Sequence, residues 1–317
     1  MKGVFLDYGT MDAGDLDPAP MERVLPGLVI HRQTPQELVA GRVAGFDAVL
    51  LNKSRITRDI IEANPQLRLI ALTATGFNNV DIEAARERGI AVCNLVDYCT
   101  PSVVQHVFAT LLALTHHVAE YDAFTKGGGW ARASQFSVYP FPVRELAGLG
   151  FGVVGFGALG RGAARVAEAF GMRVLVANRP GGPREPGRLD LDELLPQADV
   201  LSLHCPLNPA TRHLIGAREL GLMKRDAILV NTARGGLVDA AALAAALREG
   251  RIGGAAIDVL EQEPPVDGNP LLEPGIPNLI VTPHSAWAAR ESRQRGLDEL
   301  AANVAAFQRG ERRNRVD

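Results

Sequence analysis

Leu149-Gly150-Phe151-Gly152-Val153-Val154-Gly155-Phe156-Gly157-Ala158-Leu159-Gly160-Arg161 is the stretch on which the reading of this chain turns. An apolar run of strand length meets a glycine-rich turn, and a helical pattern follows to about Phe170. Gly155, Gly157 and Gly160 make G-x-G-x-x-G in the strand–turn–helix setting that gives the pattern its meaning. The first glycine permits a tight turn, the second lets backbone approach a diphosphate, and the third lets helix and strand pack closely. A diphosphate placed there sits on the positive end of the helix. With Ala158 and Leu159 in the helix's first turn, the three glycines are the expected cradle of a dinucleotide.

The bulk properties narrow what surrounds that cradle. A chain of 317 residues outgrows one ordinary core and suits two domains. Hydrophobic content of 47% and charged content of 22% are globular values. A formal charge of −3 gives no electrostatic case for nucleic acid or an anionic membrane. Cys93, Cys99 and Cys205 are scattered and odd in number, which points to reduced thiols and a cytoplasmic protein. The N-terminus reaches Asp7 too early for a signal-peptide core. The uncharged run 100–119 holds Gln105, His106, His116 and His117, a poor membrane span and a good buried helix.

Short apolar runs alternate with helical patterns along the chain, the mark of parallel sheets. Strands are expected over 3–6, 28–31, 48–51, 67–72 and 91–93, with helices over 35–44, 57–63 and 81–88 between them. Thr34 and Asp81 stand where N-caps belong, and Gly89 where a helix stops. The loop Thr73-Ala74-Thr75-Gly76-Phe77-Asn78-Asn79 follows a strand, at the sheet edge where ligands gather. Pro101 opens a helix from about 101 to 120, apolar on nearly every face and therefore read as buried between domains or subunits. Gly127-Gly128-Gly129 reads as a flexible connector. Beyond the cradle, strands are expected over 173–177, 199–204, 227–231, 254–259 and 279–281. Helices are expected over 189–195, 240–249 and 291–309, the last packing back on the first half.

Several strands end in polar residues: His204-Cys205-Pro206, then Thr232-Ala233-Arg234, Asp258 with Glu263 beyond, and His284 after Pro283. Hydride transfer to a carbonyl calls for a proton donor near neutral pH, and His284 fits. Glu263 is the carboxylate to set its tautomer. Arg234 is the guanidinium to grip a substrate carboxylate. Taken singly, each has a plain structural reading, so it is their convergence that points to catalysis. His116 and His117 are adjacent and face different ways, so no metal site is expected.

From about Leu67 to Phe307 the chain resembles the D-isomer-specific 2-hydroxyacid dehydrogenase family. The resemblance rests on Gly155-Phe156-Gly157-Ala158-Leu159-Gly160, Asn231-Thr232-Ala233-Arg234-Gly235-Gly236-Leu237-Val238-Asp239, Ala256-Ile257-Asp258-Val259-Leu260-Glu261-Gln262-Glu263-Pro264 and Thr282-Pro283-His284. It implies that Arg234 orients a 2-oxo acid, that Glu263 supports the acid/base His284, and that Asp258 meets the nicotinamide carboxamide. The cofactor-contacting set it implies also takes in His204, Cys205, Pro206, Thr232 and Ala233. Backbone at Thr75 and Gly76 would receive the substrate carboxylate. The stretches 74–81 and 89–94 look most like the glycerate dehydrogenase (hydroxypyruvate reductase) branch.

Pattern and resemblance together give an α/β protein of two Rossmann-like domains, doubly wound parallel sheets with a cleft between them. A flavodoxin-like substrate domain is expected over 1–98 plus 287–317, and a dinucleotide-binding domain over 99–286. The helix over 101–120 is implied to lie at a homodimer interface. The expected reaction is NAD(P)H-dependent reduction of a hydroxypyruvate- or glyoxylate-class acid. The alternative from another class is a dinucleotide-sensing corepressor with little turnover.

One position departs from the family's pattern. The acid that binds the adenosine ribose of NAD at the end of the second strand is here Asn178, followed by Arg179. Loss of that carboxylate removes repulsion toward a 2′-phosphate, which Arg179 and Arg184 could grip, favouring NADP(H). The competing reading leaves NAD(H) in place, with Asn178 on the ribose and Arg179 in solvent.

Overall fold

The computed structural model describes residues 1–317. The chain divides into two compact units, Met1–Cys99 with Trp287–Asp317, and Thr100–Ala286.

In the first unit, β1 (Gly3–Phe5), α1 (Ala19–Val24), β2 (Val29–Ile30), α2 (Gln36–Val43), β3 (Ala48–Leu51), α3 (Arg58–Glu62), β4 (Leu69–Leu72), α4 (Ile82–Glu87) and β5 (Ala91–Cys93) alternate. The strands form one parallel sheet in the order β2-β1-β3-β4-β5. Every residue of β3 and β4 is buried, as expected for strands covered on both faces. Asp81 caps α4 by accepting from the Ala84 N–H at 2.9 Å, and Gly89 takes φ +66° just past its end. Thr34 does not cap α2. The residue before that helix is Pro35, and the Thr34 hydroxyl donates to the Leu6 carbonyl instead. The six-residue α1 escapes a periodicity search because it is too short to show a pattern.

The C-terminal helix, Arg290–Gln308, closes this unit. Its Leu297, Leu300, Ala301 and Val304 pack with Phe5, Met21, Leu25 and Leu69. Arg293 grips the Asp15 carboxylate with two bonds of 2.7 Å, which holds that carboxyl down to about 2.

The second unit opens with α5 (Thr100–His116) and α6 (Val118–Lys126). A single helix over 101–120 is therefore corrected: His117 takes φ +49°, a left-handed residue that breaks the run. Within one chain, α5 buries one side. Val104, Val107, Phe108 and Leu111 are buried, whereas Pro101, Gln105, Ala109 and Ala113 are exposed. The triple glycine is a built stop rather than a slack connector. Gly128 has φ +77°, and a Cβ on Gly129 would lie 2.3 Å from the Phe124 ring.

Then follow β6 (Gly150–Val154), α7 (Ala158–Ala169), β7 (Arg173–Val176), α8 (Leu191–Leu194), β8 (Val200–Leu203), α9 (Ala217–Leu222), β9 (Ile228–Asn231), α10 (Ala240–Arg248), β10 (Gly254–Ile257) and β11 (Leu279–Val281). The parallel sheet runs β11-β10-β9-β8-β6-β7. After β7 the chain must cross back over β6 to reach β8, so the strand order reverses beside β6. That is the switch point at which α/β sheets open a ligand crevice, and the glycine turn lies there. Phe108 stacks between Phe151 and Phe170 at 5.7 and 5.5 Å, seating α5 on this sheet.

Candidate active site

Packing requires two of the cradle's glycines and leaves space over the third. Gly155 has φ +95°, and a Cβ there would fall 2.5 Å from the Cys205 nitrogen. A Cβ on Gly160 would lie 2.1 Å from the Gly155 carbonyl oxygen, so any side chain would push α7 off β6. Gly157 is the opposite case: it is exposed, and a Cβ on it would meet nothing within 4 Å. Open space over the first turn of a twelve-residue helix with no acid in that turn fits a diphosphate. The Thr232 hydroxyl, buried and without a hydrogen-bond partner, is a second group suited to a ligand.

Downstream, the strand ends are locked to one another. The Asn231 side chain accepts from the Ala233 N–H (3.0 Å) and donates to the Arg234 carbonyl (2.9 Å), folding the turn after β9. Gly235 brings that turn hard against the next one, since a Cβ on it would lie 2.0 Å from the Leu260 carbonyl carbon. The Leu260 N–H donates to Glu263 Oε1 at 2.9 Å, and Glu263 Oε2 bonds His284 Nδ1 at 2.7 Å. Those contacts link the Arg234, Glu263 and His284 turns in one series. The His284 side chain is 29% exposed, enough for its other nitrogen to reach a ligand.

Arg234 itself is exposed and donates from Nη1 to the neighbouring Ala233 carbonyl at 2.7 Å. It has no other side-chain hydrogen bond in the protein.

Asp258 lies at the end of β10. Its side chain is 1% exposed, and its carboxylate receives the Thr282 hydroxyl (2.5 Å) and the N–H groups of Ser285 and Ala286 (2.9 Å each). It organises the turn that carries His284, which sits at φ +53° with its N–H on the Asp258 carbonyl. Two groups that the sequence reading did not single out pin the same turn from α5. The Ser102 hydroxyl donates to the Ala286 carbonyl at 2.6 Å, and His106 Nε2 lies 3.1 Å from Thr282 Oγ1. Spacing could not reveal them, because nearly two hundred residues separate the partners and only the fold brings them together.

His204 and Cys205 support the cradle from beneath. The His204 ring bonds Ser202 Oγ at 2.9 Å, leaves Nδ1 without a partner, and is pushed down to about 4 by burial alone. Burial lifts the Cys205 thiol to about 11. Pro206 is exposed, and its carbonyl accepts from the Thr211 hydroxyl at 2.7 Å.

At the end of β7, Asn178 is spent on the protein. Its amide donates to Asp190 Oδ1 (2.8 Å) and accepts from the Glu185 N–H (2.9 Å). Arg184, expected to be available to a phosphate, is ion-paired with Asp190. Arg179 is exposed and makes no ion pair in the protein.

In the first unit, the Asn79 amide ties the loop after β4 to the Asn52 and Ser54 carbonyls at 3.1 and 2.8 Å. Asn94 holds the Thr75 carbonyl at 2.8 Å. The N–H groups of Thr75 and Gly76 donate to nothing in the protein, as a site for a carboxylate requires. No group of three or more His, Cys, Asp or Glu residues is placed to hold a metal, and no helix is long and apolar enough to cross a membrane.

A glycine cradle at a switch point, followed by a carboxylate–histidine pair at neighbouring strand ends, defines an oxidoreductase that uses a nicotinamide dinucleotide. Residues 108–286 match the family model described as D-isomer specific 2-hydroxyacid dehydrogenase, NAD binding domain. Glycerate dehydrogenase of Methylorubrum extorquens is 45% identical over 284 residues, covering 90% of this chain and 89% of its own. Hydroxypyruvate reductase of Blautia hydrogenotrophica is 37% identical over 316 residues, covering 98% of each. Among solved structures, an acyclic imino acid reductase (Bsp5) in complex with NADPH and D-Arg superposes with a TM-score of 0.87 at 28% identity, over 100% of both chains. The chain belongs to the D-isomer specific 2-hydroxyacid dehydrogenase family.

Proposed function

We propose that this protein reduces a small 2-oxo acid of the hydroxypyruvate or glyoxylate class to the D-2-hydroxy acid. The observation that carries the reading is the 2.7 Å bond between Glu263 Oε2 and His284 Nδ1. A carboxylate there accepts the Nδ1 proton and fixes the ring's orientation, which directs Nε2 to the substrate. When bound, the dinucleotide supplies hydride to the substrate's C2. His284 then gives the Nε2 proton to the carbonyl oxygen, and takes it back in the oxidative direction. Arg234 turns from the Ala233 carbonyl to the substrate carboxylate, where its planar fork aligns the adjacent carbonyl. In the first unit, the N–H groups of Thr75 and Gly76 donate to nothing in the protein and suit a carboxylate.

NADPH is accepted and favoured over NADH in this reading. Its support is that position 178 carries no charge and that Arg179 has no ion-pair partner. The enzyme is cytoplasmic and works as a homodimer. An apolar trough of about 600 Å³ between α5 and α7, lined by Val104, Phe108, Leu112 and Val166, supports the second of these.

A panel of 2-oxo acids tested with NADH and with NADPH decides the matter. Turnover should be highest on three-carbon and two-carbon acids. Tight dinucleotide binding without turnover on any acid would instead favour a sensor, and a large preference for NADH would remove the NADPH reading alone.

A further inference from the structure

Sequence alone places Asn178 at the ribose, yet its amide is committed to the protein at both ends. The fold supplies a different group. After β7 the chain leaves through Pro180, Gly181 and Gly182, and it returns in a parallel bridge of Leu189 beside Ala177. The Asn178 N–H donates to the Leu189 carbonyl at 2.8 Å, so the next residue, Asp190, lands against the Asn178 side chain. Asn178, Arg179, Gly181, Asp190 and Leu191 line a cavity of about 310 Å³ at the C-terminal end of β7. The carboxylate absent from position 178 has thus returned from twelve residues further along the chain.

We propose that Asp190 is the residue that reads the 2′ position of the adenosine ribose. The inference rests on reading 155–160 as the dinucleotide cradle. The Asp190 carboxylate, 33% exposed, accepts from Asn178 through Oδ1 and pairs with Arg184 through Oδ2. A carboxylate retains lone pairs beyond these two, so it can accept a ribose hydroxyl. Toward a 2′-phosphate it acts in two opposing ways: it repels the dianion directly, and it keeps Arg184 from turning to it. Arg179 is the one cation at the cavity that stays available throughout. Asp190 therefore weakens, without abolishing, the preference for the phosphorylated cofactor that Arg179 sets.

The test uses the whole protein and equilibrium binding rather than turnover. Calorimetric titrations with 2′,5′-ADP and with 5′-ADP are run on the wild type and on Asp190→Asn. Asparagine keeps an acceptor for Asn178 and is itself a good helix N-cap, so α8 is retained; a thermal melt checks this. Removing the carboxylate should tighten 2′,5′-ADP binding roughly tenfold, because a like charge is removed and Arg184 is released. Binding of 5′-ADP should be unchanged or weaker. Asn178→Ala, which frees Asp190 without removing its charge, should leave the ratio of the two affinities within about twofold. An unchanged ratio in Asp190→Asn, or a larger ratio change in Asn178→Ala than in Asp190→Asn, overturns the proposal. The wild-type preference between NADH and NADPH is a separate measurement and can fail by itself. Failure of both nucleotides to bind would reject the cradle.

Discussion

His284 stands just past a strand end with Nδ1 on Glu263, and His204 is a histidine whose value is that it stays neutral. Replacing His284 with asparagine should lower kcat/KM by about 10²- to 10⁴-fold, the usual worth of a general acid. The affinity for the dinucleotide, measured by calorimetry, should hold. Turnover within a few-fold of wild type would remove His284 from the reaction. His204 is checked through stability. Burial holds it at about 4, against 6.5 for an exposed imidazole. Above pH 6.5 both folded and unfolded chains are neutral there, and the site costs nothing. Between 6.5 and 4 the unfolded chain takes a proton that the folded one refuses, so stability falls with pH. The loss amounts to about 2 kcal/mol by pH 5. Denaturant melts at about pH 7.5 and pH 5 should show this loss in the wild type and a smaller one in His204→Gln. Equal losses would mean that other groups dominate the acid limb.

At the scale of elements, the loop carrying His284 is a rigid turn with supports on two sides. Asp258 at the end of β10 provides three hydrogen bonds, and α5 provides Ser102 and His106. Neither α5 residue touches a reacting atom in this scheme; both position the turn. Because one such bond is worth about 1 kcal/mol, Ser102→Ala combined with His106→Ala should lower kcat several-fold. The KM for dinucleotide should stay within about twofold, and amide exchange at residues 284–286 should quicken. Loss of kcat without faster exchange would assign these side chains some other role. The cradle admits a sharper test. Gly160→Ala places a carbon 2.1 Å from a backbone oxygen, which α7 cannot avoid by a rotamer change. Overpacking of this kind should cost about 1–3 kcal/mol and weaken the dinucleotide with it. A Gly160→Ala protein of wild-type melting temperature and affinity would show the α7–β6 contact to be softer than this.

For the whole molecule, the telling surface is the outer face of α5. One stripe of the helix is buried on the second unit's sheet, while Gln105 and Ala109 stand at the apolar trough beside α7. If two copies meet there, Ala109→Arg inserts a charge that must be desolvated on both sides of a two-fold contact. Light scattering should then find a monomer where the wild type is a dimer. A dimer that survives the change would move the interface to another surface.

Much of the molecule is legible in its sequence. Strands such as Ala48–Leu51 and Leu69–Leu72 are unbroken apolar runs because parallel strands are covered on both faces. The cradle was legible because Gly155 takes a left-handed φ and Gly160 meets the Gly155 carbonyl five residues back, demands that act locally. Arg234, Glu263 and His284 could be named for a related reason: each follows a strand that points to the same edge. Features that depend on distant chain returning could not be named. The break at His117, the Ser102 and His106 supports, and the closure of Asn178 by Asp190 all depend on which segments meet. The sequence by itself determined two doubly wound sheets, a dinucleotide turn and a histidine–glutamate pair, because local backbone sterics and strand direction suffice for these. Only the tertiary structure decided that Asp190 closes on Asn178 and what holds the histidine's turn. Hydrogen bonds between residues far apart in the chain leave no periodicity for a sequence to display.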